Sequence, residues 1–293
     1  MIYYNKKIHL IGVFMIKLIA SDLDCTIINS DNTISPKNIQ AVKDIKNSDL
    51  DFAICTGKTY SLMKDTCKTL NANYGIFGNG VQIIDLKNNK EIYKEVLDID
   101  IVSNCIKLAK SYNLHVHIYT EDEIISEKFM YMDLRNFIIH KENKSSDSLK
   151  FKITEDLLDY ININNPKIFK LIISAENNID FLKDSLLQKY DLSICSINKT
   201  ANYKDTIINK EYYYLDISPH NINKLEALKI LENYLNINSN EVMAVGDNLN
   251  DIEMIQFSGL GIAVANAYDS VKNVAKYITT NSVENRRICR SSL

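Results

Sequence analysis

A short apolar run near the beginning of the chain leads directly into two acidic residues, and this segment indicates the class of fold. It reads Lys17-Leu18-Ile19-Ala20-Ser21-Asp22-Leu23-Asp24-Cys25-Thr26. A nearly continuous apolar run of this length is typical of a parallel strand, because such a strand is covered on both faces. Asp22 and Asp24 then stand at the carboxyl end of the strand, the edge where open α/β sheets bind ligands. Taken alone, the pair could equally be two acidic loop residues.

Other apolar runs of strand length share this pattern. They are Phe52-Ala53-Ile54-Cys55, Val242-Met243-Ala244-Val245 and Gly261-Ile262-Ala263-Val264. Helical patterns lie between the runs: one opens at Ser35-Pro36, and another runs from about Asn223 with leucines at helical spacing. Strands that alternate with helices predict a doubly wound, Rossmann-like α/β core around a parallel sheet.

The middle of the chain has a different pattern of polar and apolar residues. Its strand candidates show more polar alternation, which is typical of a sheet with one open face; they are His115–Thr120, Lys167–Ser174, Leu192–Ile197 and Glu211–Ile217. Helical patterns such as Ile99–Ser111 and Asn178–Lys189 separate them. Because the parallel pattern resumes only at about Ser218, we interpret residues 85–217 as an α+β cap domain inserted into a core formed by residues 15–84 and 218–293. Residues 1–14 are interpreted as an N-terminal extension or as the product of a misplaced start codon, and we assign them no function.

Composition excludes several classes of protein. A chain of 293 residues exceeds one compact core, and its net charge of −3 favours neither nucleic acid nor a membrane surface as a partner. The six cysteines are scattered without a Cys-x-x-Cys pair, so they indicate reduced thiols rather than disulfides or a zinc site. The apolar run Ile8–Ile16 is too short to span a bilayer. We expect a cytoplasmic protein, and the sequence leaves its oligomeric state open.

A second acidic cluster follows a strand candidate at the far end of the chain. It reads Gly246-Asp247-Asn248-Leu249-Asn250-Asp251. Because the carboxyl ends of parallel strands share one edge, Asp247 and Asp251 can converge with Asp22 and Asp24 on one hard cation, which fits Mg²⁺ better than zinc. Two unrelated acidic turns would explain this coincidence less well.

Groups suited to a phosphate follow two other elements. Thr56-Gly57-Lys58 offers a hydroxyl and a backbone N–H beside a glycine that lets an anion approach closely. Lys224 opens a predicted helix, where a solvated surface lysine would be the alternative interpretation. Together with the acidic clusters, these residues predict a phosphate site that needs a cation, because four aspartates would otherwise repel a phosphate dianion.

These segments resemble, in order and spacing, the four motifs of the haloacid dehalogenase superfamily, in the form typical of its Cof-like subfamily. The stretch ending at Thr26 is similar to the first motif and Thr56-Gly57 to the second. Asp216-Ile217-Ser218-Pro219 leading to Lys224 is similar to the third. The fourth is matched by the Asp247 cluster together with Gly259–Ala267. The resemblance extends from about Met15 to about Asn281.

The resemblance implies an activity and a role for each matching residue. It implies a Mg²⁺-dependent phosphatase for small phosphate monoesters, with a cap that closes over the site and reads the leaving group. Asp22 would be the nucleophile and Asp24 the general acid and base. Asp22, Asp247, Asp251 and the backbone carbonyl of Asp24 would bind the metal. The phosphate oxygens would be held by Thr56, Gly57, Lys224 and Asn250.

Two other classes of function remain as alternatives. A phospho-accepting signalling protein also combines an acceptor Asp, an acidic cluster, a Thr and a Lys, but it needs no acid at Asp24 and carries no cap of this size. A catalytically idle relative that serves as a binding subunit would be expected to lack some motif residues. The physiological substrate stays open among sugar phosphates, pyridoxal phosphate, flavin mononucleotide and nucleotides.

The chain departs from the family pattern at several positions. Cys25 stands where most relatives have glycine, and we expect inert packing of Cys25 and Cys55 rather than a redox role. Lys58 replaces the usual arginine, an exchange that we expect to be peripheral to the chemistry. His115 and His117 share a strand face in the cap, where packing explains them better than a metal site does.

Overall fold

The computed structural model describes residues 15–29, 33–128, 150–203 and 206–280. The predicted N-terminal extension, the polar stretch Lys141–Ser148 and the atypical tail Ser282–Leu293 lie outside the described residues. The chain divides into two compact units. The first unit ends its first segment at Lys94 and resumes at Ile222, and the second unit runs from Glu95 to Asn221.

The elements alternate as the sequence pattern predicts. Numbered along the chain, the strands are β1 Leu18–Ser21, β2 Asp51–Cys55, β3 Tyr74–Phe77, β4 Gln82–Asp85, β5 Lys90–Lys94, β6 His115–Tyr119, β7 Glu123–Ser126, β8 Lys150–Ile153, β9 Lys170–Ala175, β10 Leu192–Tyr203, β11 Thr206–Pro219, β12 Val242–Gly246, β13 Leu260–Ala263 and β14 Tyr277–Ile278. The described α-helices are α1 Pro36–Lys46, α2 Tyr60–Leu70, α3 Ile99–Ser111, α4 Leu157–Asn164, α5 Asp180–Lys189, α6 Lys224–Leu235, α7 Ile252–Phe257 and α8 Asp269–Val274.

The first unit is built on an eight-stranded sheet in the order β14-β13-β12-β1-β2-β3-β4-β5. From β14 to β3 all pairs are parallel, and β1 lies in the middle, where Leu18 pairs with both Val242 and Asp51. Successive residues of β1 are all buried, so both faces of the strand are covered. This explains why the first strand reads as an uninterrupted apolar run. The predicted fold class, a doubly wound parallel-sheet core with an inserted α+β cap, is confirmed.

The two units divide later along the chain than the predicted boundaries at 84/85 and 217/218. The strand β4 pairs antiparallel with β3, and β5 pairs with β4, so this hairpin extends the sheet of the first unit. At the other boundary, β11 continues to Pro219 in the sheet of the second unit. The partly exposed, polar strand β5 gives no sign in sequence of the sheet that it joins.

The second unit contains a six-stranded sheet in the order β10-β11-β9-β6-β7-β8. All its pairs are antiparallel except β7 with β8. One face packs on α3, α4 and α5 through a continuous apolar cluster that includes Ile106, Ile118, Ile161, Ile173 and Leu186. Along the described part of the chain, no helix combines the length and the apolar character that crossing a bilayer requires.

Candidate active site

Asp22 lies at the carboxyl end of the central strand of the first unit. Its backbone N–H donates to the carbonyl of Val245 at 2.9 Å, which continues the ladder between β1 and β12 by one residue. This bond aligns the ends of the two strands that carry the acidic clusters. Asp22 is only 6% exposed. A carboxylate buried to this degree requires a counter-charge or a cation.

Lys224 supplies one such counter-charge. Its Nζ donates to Asp22 Oδ1 and to Asp251 Oδ1, each at 2.6 Å. The side chain of Asn223 caps α6 by accepting from the N–H of Glu226, and Lys224 is therefore the first helical residue. Lys224 is 1% exposed, so the alternative of a solvated surface lysine is wrong.

The second acidic cluster folds into a tight turn that holds Asp251 from two sides. Asp251 Oδ2 accepts from the N–H groups of Asp247 and Asn248, both at 3.0 Å, while its Oδ1 receives Lys224. Gly246 makes room for this carboxyl group, because a Cβ at that position would lie 2.5 Å from it. Asp22, Asp247 and Asp251 can each offer a carboxylate oxygen within 4.8 Å of the others. The predicted convergence of the two strand ends is therefore present.

The electrostatics of this cluster suit a cation. Burial raises the pKa of Asp22 well above its usual range, and Asp251 and Asp247 raise it further against the opposing effect of Lys224. Burial and the neighbouring Asp251 raise the pKa of Asp247 to about 7. Burial by itself would lower the pKa of Lys224, but Asp22 and Asp251 outweigh burial and raise it. One lysine leaves the three carboxylates in mutual repulsion, and their oxygen donors fit a hard divalent cation.

Asp24 occupies a different environment from Asp22. Its side chain is 45% exposed, and its Oδ1 accepts from Lys58 Nζ at 2.6 Å. The carboxylate lies outside the group of three that converge on one point. Its expected contribution to a metal, through the backbone carbonyl, stays a prediction. Lys58 therefore contacts the predicted acid directly, and the expectation that the exchange of arginine for lysine is peripheral to the chemistry stays a prediction.

The turn between the acidic pair and Thr26 requires an unusual backbone. Cys25 has a φ of 60°, a left-handed conformation that favours glycine. Asn266 Nδ2 donates to the carbonyl of Cys25 at 2.8 Å, and Thr26 Oγ1 donates to Asp247 Oδ1 at 3.2 Å. These two bonds connect the turn after β1 to Asp247 after β12 and to Asn266 after β13. Glycine adopts such a positive φ without strain, so a glycine would also fit this position.

The expected phosphate-binding residues gather beside this turn of the first unit. Thr56 is fully buried, and its hydroxyl accepts from the N–H of Lys58 at 3.2 Å. Gly57 faces Asn79, since a Cβ on Gly57 would lie 3.1 Å from Asn79 Oδ1. Asn250 Nδ2 donates to the same oxygen at 3.0 Å. The amide oxygen of Asn79 thus lies on the side where Gly57 has no side chain, and it accepts from Asn250.

Asn79 is the residue of this site that the sequence analysis missed. It has a φ of 58°, and its N–H donates to the carbonyl of Thr56 at 3.0 Å. The adjacent Gly80 also has a positive φ, and a Cβ there would lie 2.7 Å from the carbonyl oxygen of Asn223. The available signal was the triplet Gly78-Asn79-Gly80 directly after an apolar strand, a pattern typical of a tight, functional turn.

Comparison with known proteins agrees with this architecture. The family described as haloacid dehalogenase-like hydrolase matches residues 19–285. The chain is 27% identical over 270 residues to the Bacillus subtilis protein YcsE, named 5-amino-6-(5-phospho-D-ribitylamino)uracil phosphatase, covering 92% of each chain. It is 25% identical to YitU of the same organism, which has the same printed activity, over 91% of this chain and 93% of that protein. A haloacid dehalogenase-like hydrolase from Bacteroides thetaiotaomicron superposes with a TM-score of 0.74 at 24% identity, covering 94% of this chain and 98% of that one.

The chain therefore belongs to the haloacid dehalogenase-like hydrolases. The predicted membership of this superfamily, in its Cof-like subfamily, is confirmed. Within it, the chain is an enzyme of the phosphoric monoester hydrolase class.

Proposed function

We propose that the protein is a Mg²⁺-dependent phosphatase that hydrolyses small phosphate monoesters through a phospho-aspartate on Asp22. The observation that carries this proposal is the arrangement around Asp22. The buried carboxylate accepts a hydrogen bond from Lys224 Nζ at 2.6 Å. One of its oxygens lies within 4.8 Å of a carboxylate oxygen of Asp247 and of Asp251. Such a site can bind a cation and a phosphate side by side.

Asp22, Asp247 and Asp251 would hold Mg²⁺, with the backbone carbonyl of Asp24 as a further ligand. When bound, Mg²⁺ supplies positive charge that offsets the carboxylates and orients the phosphate. Thr56, Gly57, Lys224 and Asn250 would hold the phosphate oxygens, with donors from a hydroxyl, a backbone N–H, an ammonium and an amide. Asn79 would position two of these groups, because its N–H donates to the carbonyl of Thr56 and its Oδ1 accepts from Asn250.

The reaction then has two steps. A carboxylate oxygen of Asp22 forms a bond to phosphorus while the bond from phosphorus to the alcohol oxygen breaks, and Asp24 gives its proton to that oxygen. Asp24, now ionised, takes a proton from water, whose oxygen bonds to phosphorus as the bond to Asp22 breaks. The exposure of Asp24 suits exchange of protons with a departing alcohol and an entering water, whereas Asp22 is enclosed.

The substrate class follows from chemistry that two relatives share. Both YcsE and YitU are named for a substrate whose phosphate sits on a ribityl chain, a linear polyol. We infer that this chain acts on a sugar phosphate or a related metabolite with a hydroxyl-bearing leaving group.

Chemical trapping of the intermediate tests the proposal. The enzyme is mixed with a phosphate monoester and Mg²⁺, quenched, and reduced with borohydride, which converts an acyl phosphate of aspartate to homoserine. Peptide mass spectrometry is expected to find homoserine at position 22, and none in Asp22→Asn. The Asp44→Asn variant on α1 serves as the matched control and should behave as the wild type. Turnover without modification at Asp22 would reject the nucleophile assignment.

A further inference from the structure

The turn that follows β1 carries the predicted acid, Asp24, and it winds around the carbonyl group of Leu23. Three later residues of the turn donate their N–H groups to this carbonyl at 2.8–3.2 Å, and they are Thr26, Ile27 and Ile28. The N–H of Cys25 donates to the carbonyl of Ile28 at 2.9 Å. The position of Asp24 therefore depends on the backbone conformation of Cys25, its neighbour in the turn.

Cys25 holds a conformation that strains any residue with a side chain. Its φ is 60°, and in this left-handed region the Cβ lies too close to the following carbonyl oxygen. Strain of this kind persists only where the surrounding contacts hold the backbone in place. Once those contacts are lost, a change in the turn relieves the strain, and Asp24 moves with the turn.

Asn266, in the loop after β13, supplies one such contact. Its Nδ2 donates to the carbonyl of Cys25 at 2.8 Å. The net free energy of one hydrogen bond and the strain of one left-handed residue are similar in size, so a single bond can decide the conformation of the turn. Asn266 Oδ1 is buried and has no partner among the residues that the structure describes, so the amide group acts through its donor end.

The backbone on either side of Asn266 is fixed to the strand end that carries the second acidic cluster. The N–H of Val264 donates to the carbonyl of Gly246 at 3.1 Å, and the N–H of Tyr268 donates to the carbonyl of Asp247 at 2.9 Å. Both acceptors stand at the end of β12 or directly after it. Asn266 therefore connects the turn after β1 to the end of β12.

We propose that Asn266 is a positioning residue, which holds Cys25 in the left-handed conformation and so keeps the Asp24 carboxyl group in place for proton transfer. The role in proton transfer rests on the proposed function, whereas the conformational role does not. Glycine adopts a positive φ without strain. The need for Asn266 should therefore largely disappear in a Cys25→Gly background.

Four proteins test the role in proton transfer: the wild type, Asn266→Ala, Cys25→Gly and the double variant. Hydrolysis of glucose 6-phosphate, whose alcohol needs a proton to leave, is compared with that of p-nitrophenyl phosphate, whose phenolate leaves without one. We expect Asn266→Ala to lower kcat about tenfold for glucose 6-phosphate and less than about twofold for p-nitrophenyl phosphate, because a displaced acid impairs only the ester that needs it. In the Cys25→Gly background the same substitution should lower kcat for glucose 6-phosphate less than about twofold.

Asn38→Ala is the matched control. Asn38 Nδ2 on α1 donates to the carbonyl of Ile27 at 2.9 Å, so it holds the same turn by the same kind of bond, two residues further from Asp24. Asn38→Ala and Asn266→Ala should each lower the melting temperature by about 2–4 °C, the effect of one hydrogen bond in a protein of this size. Only Asn266→Ala should change the ratio of the two rates. Equal losses on both esters, or equal losses for Asn266→Ala in both backgrounds, would overturn the proposal.

Alkylation of Cys25 tests the conformational role even if neither ester is hydrolysed. The full chain is treated with iodoacetamide in EDTA, and modification of the Cys25 peptide is followed by mass spectrometry. Because a released turn opens more often, Cys25 should react several times faster in Asn266→Ala than in the wild type or in Asn38→Ala. Asn266→Ser, whose hydroxyl is too short to replace the amide, is the second variant if Asn266→Ala does not fold.

The two measurements separate the conformational role from the proposed function. Faster alkylation in a protein whose wild type hydrolyses neither ester would refute the proposed function and support the conformational role of Asn266. Unchanged alkylation at Cys25 in Asn266→Ala and Asn266→Ser would overturn that role, whatever the rates of hydrolysis.

Discussion

At the scale of single residues, Lys224 is the clearest case of a side chain that serves stability and chemistry together. Lys224→Met keeps the length of the side chain but leaves Asp22 and Asp251 buried without their counter-charge. We expect the free energy of unfolding to fall by about 3 kcal/mol in the absence of metal, and kcat to fall at least about 100-fold. Urea denaturation in EDTA and steady-state kinetics measure the two effects.

Lys229→Met is the control for this substitution, because Lys229 pairs with Glu226 at the surface of the same helix. It should cost less than about 1 kcal/mol. Equal stability of Lys224→Met and the wild type would show that the buried contacts of Lys224 carry no net stabilisation.

Cys25 occupies a turn whose backbone conformation favours glycine. Because its φ is 60°, we expect Cys25→Gly to stabilise the protein by about 0.5–1 kcal/mol, with activity retained. Cys195→Gly, in the regular strand β10, should lower the free energy of unfolding by a similar amount, so the two substitutions should change stability in opposite directions. Chemical denaturation of both variants provides the measurement, and a loss of stability in Cys25→Gly would contradict this account of the turn.

The other cysteine of the site supports the packing interpretation. Burial raises the pKa of the Cys55 thiol to about 12. A thiol with such a pKa is protonated at neutral pH and reacts slowly with oxidants. The expectation of inert packing at Cys55 therefore has a physical basis, while the same expectation for Cys25 stays a prediction.

At the scale of elements, helix α6 carries a buried acid as well as the active-site lysine. Burial raises the pKa of Glu232 from 4.5 to about 7, and its Oε1 has no partner among the described residues. Between these two pH values the folded state keeps a proton that the unfolded state loses, so stability falls as pH rises through this window. Glu232→Gln removes this penalty.

We expect Glu232→Gln to have little effect on unfolding near pH 4.5 and to stabilise the protein above pH 7, with the difference growing between the two. Urea denaturation at a series of pH values provides the measurement. Glu226→Gln, at a half-exposed position of the same helix, should show no such trend. A difference that is independent of pH would assign the stabilisation to packing instead of ionisation.

Helices and strands were predicted correctly where the spacing of apolar residues follows a single period, that of a helix or that of a strand. The helix expected at Ile99–Ser111 is α3 with the same bounds, because its capping Asp98 and its apolar stripe lie in the local sequence. The strands β10 and β11 extend beyond the predicted Leu192–Ile197 and Glu211–Ile217. The two strands pair with each other along most of their length. Pairing between strands cannot be inferred from the spacing of apolar residues within either strand.

At the scale of the whole molecule, metal binding should couple to the stability of the first unit. Mg²⁺ that binds only the folded acidic cluster raises the free energy of unfolding of that unit by about 2.7 kcal/mol when its concentration is about a hundred times Kd. The melting temperature of the unit rises accordingly. Differential scanning calorimetry with and without EDTA measures this shift, and activity should disappear and return in step. Asp247→Asn should abolish the shift and Asp44→Asn should retain it. A melting temperature and an activity that are both unchanged by EDTA would reject the metal site.

The class of fold, the order of the motifs and most of the candidate site could be predicted from the order of the residues. This was possible because a buried parallel strand must be apolar throughout, and an acidic pair at its end has few structural uses. Asp22, Asp24, Asp247 and Lys224 could all be named from such local patterns.

Which of these groups contact one another is visible only in the folded chain. The Lys224 bridge between Asp22 and Asp251, the Lys58 contact to Asp24, and the place of Asn79 join residues that are distant in sequence. Hydrogen bonds and charge pairs depend on distances of a few ångströms, and the packing of the sheet sets those distances, whereas hydrophobic periodicity sets only which face each residue occupies.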